Sequence, residues 1–516
     1  MAGKYDAIVI GAGHNGLVCA ALLAKAGNET LVLEANERVG GAAVTRSFTE
    51  GYSVSAIAHL LYQLQPQIED DLELKGGLTT EKLGTVALSR DGNHVRIGSD
   101  DDVSGVSVED KASYRHFRKR MTRFADLLNT YLNKTAPRLA SGASKSDKLT
   151  LARLGFDVRR LGRREMREFL RLIGMNIRDE VFEHFESALL RGAISLDATL
   201  GTRLGPRSPN TILTYLYRLA GTHASLRLPT GGMSAVSEAL AHSARENGAI
   251  IHTGVKVSRI IVENGHVAGV ETESGDIFSS SLVVSNADPK STMMKLVGSK
   301  NLETGFTRRV HQIRMCGSAA KLHLALDGLP SIAGVEGSEF GARFLIAPDD
   351  AYVERAFNYV KYGETSVKPV FEITFPSFRD STLAPAGKHV MSAIIQYVPY
   401  ELRSGWSVDT REAFRKVAVE TLSDYMPEVE QRITGWELLT PADIEEQFHI
   451  TGGHWHHGEL ALDQFLFTRP IGGAHQYAMP VGGLYLCGAG THPGGGVSGA
   501  AGRNAARVIL TRENTV

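Results

Sequence analysis

Apolar and polar positions change period several times along this chain of 516 residues. A short apolar run, Ala7 to Ile10, enters a glycine-bearing turn. A helix of small residues is predicted from Leu17 to about Ala26, and a second apolar run, Thr30 to Leu33, stops at Glu34. Short apolar runs flanking a helix predict parallel strands joined by a crossover. Residues 100 to 225 are mostly helical in spacing, with a Ser/Gly/Lys-rich loop near 140 to 148. After Pro229-Thr-Gly-Gly-Met comes an amphipathic helix carrying Val236 and Leu240 and closed by Asn247-Gly248. Ile250-Ile251, Val255 to Val262, Val267 to Thr272 and Leu282 to Ser285 then read as strands. Turns at Asn264-Gly265 and Ser274-Gly275 make them a small β-meander that returns to the main sheet. Between 300 and 450 the strands lengthen, as in Ala319 to Leu326 and Val390 to Val398, and predict the floor of a cavity. Gly483 to Leu486 with Cys487 predicts a late strand, and a closing helix runs through Leu510. No internal repeat is visible.

The turn after Ile10 carries Gly11, Ala12, Gly13, Asn15 and Gly16. Gly11 permits the tight turn, Gly13 lets a pyrophosphate approach the backbone, and Gly16 lets the helix sit close to the sheet. Free N–H groups at the helix start favour phosphate, and Glu34 can accept hydrogen bonds from a ribose diol. Strand, glycines, helix, strand and acid fall in the order of a dinucleotide site. Two features select FAD over NAD. Beyond Ala35, Gly40, Gly41 and Ala42 keep the backbone thin where a flavin would continue past the pyrophosphate. A second Gly-rich loop, residues 488 to 502 with Gly490, Val497 and Ser498, again joins a strand to a helix start. Such a helix start can stabilise charge on the pyrimidine edge of a reduced flavin.

These stretches resemble the FAD-dependent phytoene desaturase and monoamine oxidase superfamily, over nearly the whole chain. Within it, Leu-Ala-Pro-Ala-Gly-Lys-His-Val (383–390) and Leu-Asp-Gln-Phe-Leu-Phe-Thr-Arg-Pro (462–470) resemble the branch called pyridine nucleotide-disulfide oxidoreductase domain-containing protein 2. The resemblance implies an α/β fold in which a Rossmann-like FAD-binding domain (1–75, 226–300 and 456–516) is interleaved with a mixed-sheet and helical substrate domain (76–225 and 301–455). It also implies that Val257 meets the adenine edge through its backbone.

The cysteines argue against disulfide chemistry. Cys19, Cys316 and Cys487 are far apart with no C-x-x-C, so no dithiol forms from sequence neighbours. Cys19 and Cys487 read as buried small hydrophobes, and so few cysteines indicate a reducing compartment. No second G-x-G-x-x-G follows a strand, so electrons are expected to leave through substrate, oxygen or a quinone. A formal charge of −1 gives no electrostatic case for nucleic acid, and 43% hydrophobic residues support substantial cores in two or more domains. The N-terminus leads straight into the first strand, leaving no room for a leader, and no stretch of about 18 apolar residues exists to span a bilayer. The expected address is the cytoplasm, with a peripheral membrane contact and a homodimer left open. Arginines 153, 159, 160, 163, 164, 167, 171 and 178, interleaved with Leu161, Phe169, Leu170, Leu172 and Ile173, raise the membrane question. Helices of this kind can lie on anionic lipid, or form a solvated cap whose arginines pair with acids elsewhere.

Catalytic candidates are fewer. Gly-Gly-His-Trp-His-His-Gly-Glu (452–459) offers His454, His456 and His457 as proton-transfer groups, His457 matching the branch pattern most closely; His59 could also face the flavin ring. The plain alternative is that these histidines pack a cavity wall. No i,i+4 histidine pair on a predictable helix or paired cysteine accompanies them, so no metal is expected. The expected activity is FAD-dependent removal of hydride from a largely apolar small molecule, whether polyene, lipid-like or amine. The alternatives are a redox-neutral flavin isomerase and a flavin-loaded regulatory protein.

Overall fold

A computed structural model describes residues 3–74, 78–100, 102–139, 143–221 and 225–513. The proposed boundary at 75 and 76, the chain ends at 1 and 516, and residues 140–142 of the Ser/Gly/Lys-rich loop lie outside them.

Ala7–Ile10 and Thr30–Leu33 are buried along their whole length, as expected for parallel strands covered on both faces. They pair in parallel with each other, and the sheet extends to Ile250–His252 on one side and to Val283–Ser285 and Leu484–Leu486 on the other. Strands from the beginning, middle and end of the chain therefore share one five-stranded sheet. The crossover helix, His14–Lys25, packs between Met233–Glu246 and Ala500–Glu513. It starts three residues before the predicted Leu17, because Gly11 at φ 92° turns the chain so sharply that Gly13 already serves as the N-cap.

The meander forms as expected, with Val257–Glu263 and His266–Thr272 antiparallel across a turn that holds Asn264 at φ 49° and Gly265 at φ 78°. It builds a small four-stranded sheet behind the main one.

The second large sheet has eight strands, centred on Ala319–Leu326 and His389–Gln396. All eight residues of Ala319–Leu326 are buried, yet its two faces differ. Ala320, Leu322, Leu324 and Leu326 join an apolar cluster with Phe414, Ala418 and Leu422 of the Val408–Ser423 helix. Lys321 and His323 point the other way, on the face shared in register by Ser392, Ile394 and Glu372. Among the described residues, six helices between Val108 and Leu219 pack beside this sheet around Phe117, Phe124, Tyr215 and Leu216. Part of the predicted loop at 140 to 148 is in fact helix: Lys145–Arg160 begins there because Ser144 and Asp147 form a capping box.

Candidate functional site

The Gly-rich segments meet at the carboxyl ends of the parallel strands, where open α/β sheets place their ligands. A groove of about 330 Å³ is lined there by Gly11, Gly13, Asn15, Glu34, Ala35, Gly40, Gly41, Ala42, Val257 and His457. Gly13 caps the helix without any side-chain cap, so its first-turn N–H groups are available to an anion. Glu34 accepts hydrogen bonds from Ala12 N–H at 2.6 Å and Asn36 N–H at 3.0 Å. Burial pushes its carboxyl up, against the pull of those backbone donors. Each oxygen keeps a lone pair for a further hydroxyl donor. Other sequence-chosen residues frame the groove rather than line it. A Cβ on Gly16 would collide with the Gly11 carbonyl, and one on Gly490 would collide with Pro289. The Ser498 hydroxyl accepts from Ala500 N–H at the start of the last helix. Asn286, just past Val283–Ser285, was not legible as a site residue; it packs over Gly11, Gly13 and Gly16, and a Cβ on Gly13 would meet its Nδ2 at 2.7 Å.

A second cavity, of about 90 Å³, adjoins the groove and shares His14, Ala42 and Trp455 with it. Ile57, Ala58, Leu60, Tyr62, Leu200, Ile394 and Val497 make most of its wall apolar, with His59, Glu372 and His456 as polar members. Behind His59 lies a buried charged network. Its Nε2–H donates to Glu372 Oε1 at 2.9 Å, and its Nδ1 accepts from Lys321 Nζ at 2.9 Å. Lys321 also donates to Ser392 Oγ at 2.9 Å. The other Glu372 oxygen takes Arg343 and Arg218, both of which also pair with Asp197. Burial lowers Lys321 to about 7 and, with Lys321 beside it, lowers His59 to about 4. Burial alone would raise Glu372, but Arg343, the His59 hydrogen bond and Arg218 together hold it well below the carboxylate range. The His59–Glu372 contact is thus a neutral imidazole on a carboxylate. Both nitrogens of His59 are engaged, so its role as a free base is not supported by this arrangement; it is a wall residue held by charge.

A family described as flavin containing amine oxidoreductase matches residues 16–510. The chain belongs to that family. It is 34% identical to mouse pyridine nucleotide-disulfide oxidoreductase domain-containing protein 2, covering 98% of this chain and 93% of the mouse protein. It is 25% identical to one of the limonene dehydrogenase subunits of Castellaniella defragrans, covering 98% and 94%. The solved structure of an oxidoreductase from Methanosarcina mazei superposes with a TM-score of 0.62 at 20% identity, covering 98% of this chain and 100% of that one. The resemblance read from the motifs and the expected fold class are borne out, and the protein is a flavin-dependent oxidoreductase.

The residues present fit a flavin dinucleotide. His14 Nε2, Asn15 Oδ1 and His457 Nδ1 are buried at the groove without a partner among the described residues. Burial lowers His14 to about 4, and its imidazole touches the Gly496 backbone, so it ties the first Gly-rich segment to the last. The motif's spacing constrains Gly13 and Gly16 but not the residue at His14 between them, so the sequence carries no signal for this imidazole. The three histidines after Gly453 diverge. His457, at φ 52° and lowered by burial to about 4, faces the groove; His456 faces the cavity and accepts from Trp455 Nε1; His454 turns away toward Glu459, 3.7 Å off. Arg469, from the 462–470 stretch, is fully buried and donates to the carbonyls of Glu459, Gln464 and Ala489. It braces this segment against the second Gly-rich loop. Cys19 and Cys487 are buried as expected, but the fold sets them side by side. Burial pushes the Cys487 thiol well up, which disfavours the thiolate a redox dithiol needs.

Proposed function

We propose that this protein is an FAD-dependent oxidoreductase that removes hydride from a compact, largely apolar small molecule, with oxygen or a quinone as the final electron acceptor. The observation that carries this reading is the small apolar cavity beside the groove, which shares His14, Ala42 and Trp455 with it as wall residues. A volume of about 90 Å³ suits a compact ring or short chain better than a long polyene. The amine reading is weaker. One face of Tyr62 is covered by the Arg218 guanidinium at 4.5 Å, and Glu372 is committed to two arginines and His59. The wall thus offers neither an open aromatic cage nor a free carboxylate for an ammonium group. A relative named for limonene, a compact hydrocarbon, is consistent with this choice.

The start of the His14–Lys25 helix would hold the pyrophosphate, Glu34 the adenosine ribose, Val257 the adenine edge, and Gly40 to Ala42 with the 488–502 loop the flavin. When bound, FAD supplies a two-electron acceptor for hydride from a C–H bond. Ile57, Leu60, Leu200 and Ile394 exclude water and orient the donor carbon. His14, neutral and with Nε2 unpartnered, is the group placed to take the accompanying proton.

Anaerobic mixing of the flavin-loaded enzyme with compact cyclic alkenes, alkylamines and a long polyene tests the reading. Compact alkenes are expected to bleach the flavin absorbance, and His14→Phe to slow that bleaching about 10²-fold or more. Bleaching by amines or the polyene alone would overturn the substrate class. Product without net bleaching would instead establish the isomerase.

A further inference from the structure

We propose that the outer face of the Lys145–Arg160 and Arg163–Leu172 helices is a docking surface for an anionic lipid bilayer. The first of these helices buries a single residue, Asp147. Its inner stripe, Leu151, Leu154, Val158 and Leu161, is partly covered by the helical cluster and the slot beneath it. The outer stripe is apolar as well: Leu149 is 70% exposed and Phe156, seven residues on and therefore on the same face, is 59% exposed. Leu170 of the next helix is 54% exposed. Leu149 and Phe156 thus form an apolar pair on the solvent side of one helix, flanked there by Arg153 and Arg160.

Charge complementarity identifies the occupant. Residues 145 to 172 hold nine basic and four acidic side chains in a chain whose formal charge is −1. The acids are largely used internally. Glu168 pairs with Arg120 and Arg171, Glu165 with Arg123, and Asp157 accepts from the Tyr131 hydroxyl. Among the described residues no carboxylate lies within ion-pairing distance of Arg159, Arg160, Arg163, Arg164 or Arg167, whereas Arg171 and Arg178 are paired. The expectation of a cap neutralised by acids elsewhere thus holds for the inner arginines and fails for the outer ones. Exposed guanidinium groups interleaved with Leu149 and Phe156 match a surface that is anionic at the headgroups and apolar just below, which is how interfacial helices bind. Among the described residues no helix is long and apolar enough to cross a membrane, so the contact is a peripheral one.

Co-sedimentation of the full-length holoprotein with phosphatidylcholine vesicles, with and without phosphatidylglycerol, reads this directly. Binding is expected only with phosphatidylglycerol and to weaken with salt. Arg160→Glu/Arg163→Glu/Arg164→Glu and Leu149→Asp/Phe156→Asp should each weaken it by more than about tenfold, with flavin content and melting temperature unchanged. Arg163→Lys/Arg164→Lys should keep it. Equal binding to neutral vesicles, no binding at all, or variants that bind like the wild type would overturn the assignment. So would a dimer in sedimentation that the Leu149→Asp/Phe156→Asp variant dissolves, since the face would then belong to a second copy.

Discussion

Lys321 illustrates how much a single position depends on its surroundings. In the sequence it is one cation in an apolar strand, and nothing nearby says whether it faces solvent or the core. In the structure it is wholly buried against His59 and Ser392, with Glu372 as the attractive charge acting on it. Its ammonium group is lowered from 10.5 to about 7 by burial. Between those values the unfolded chain keeps a proton that the folded chain has released, so this group makes stability rise as pH climbs through the window. Lys321→Met should therefore flatten the rise and stabilise the protein below pH 7. Urea unfolding at pH values within and below the window checks this; an unchanged pH slope in the variant would show that Lys321 is not the titrating group. Arg343 was equally illegible, because its two acidic partners, Asp197 and Glu372, come from separate helical and strand regions.

Among the elements, the two strand–glycine–helix units were legible because both their period and their punctuation are local. Their mutual contact was not. The Ala500–Glu513 helix lies so close to the His14–Lys25 helix that a Cβ on Gly502 would strike the Asn15 carbonyl. Gly502→Ala is accordingly expected to cost about 1–3 kcal/mol and to weaken flavin retention, since it pushes apart the two helices that frame the groove. Thermal unfolding and flavin content after gel filtration measure both; full stability with full flavin would mean that the helices move apart freely. The alternation in Ala319–Leu326 was present in the sequence too. Its polar positions, Lys321 and His323, look like interruptions of a core strand until the neighbouring strands show that they share a face with Ser392 and Glu372.

At the scale of the molecule, many imidazoles are enclosed by the same packing that forms the groove and the cavity. His14, His59, His457 and His492 are each lowered by burial from 6.5 to about 4. Below pH 6.5 the unfolded chain takes up protons at these sites while the folded chain stays neutral down to about 4. Each site then removes stability at a rate approaching about 1.4 kcal/mol per pH unit. Stability should thus fall steeply between pH 6.5 and 4, before most carboxylates titrate; a flat urea midpoint across that range would contradict the burial of these rings. The chain's own order of residues determined the first strand–glycine–helix unit, the closing Gly-rich loop, the meander and the family, because each is written in neighbouring residues whose spacing sets backbone geometry. Only the tertiary structure decided which histidines face the groove, how large the cavity is, and where Lys321, Glu372, Arg343 and Asp197 converge. Those depend on contacts between residues up to hundreds of positions apart, which spacing along a single chain does not encode.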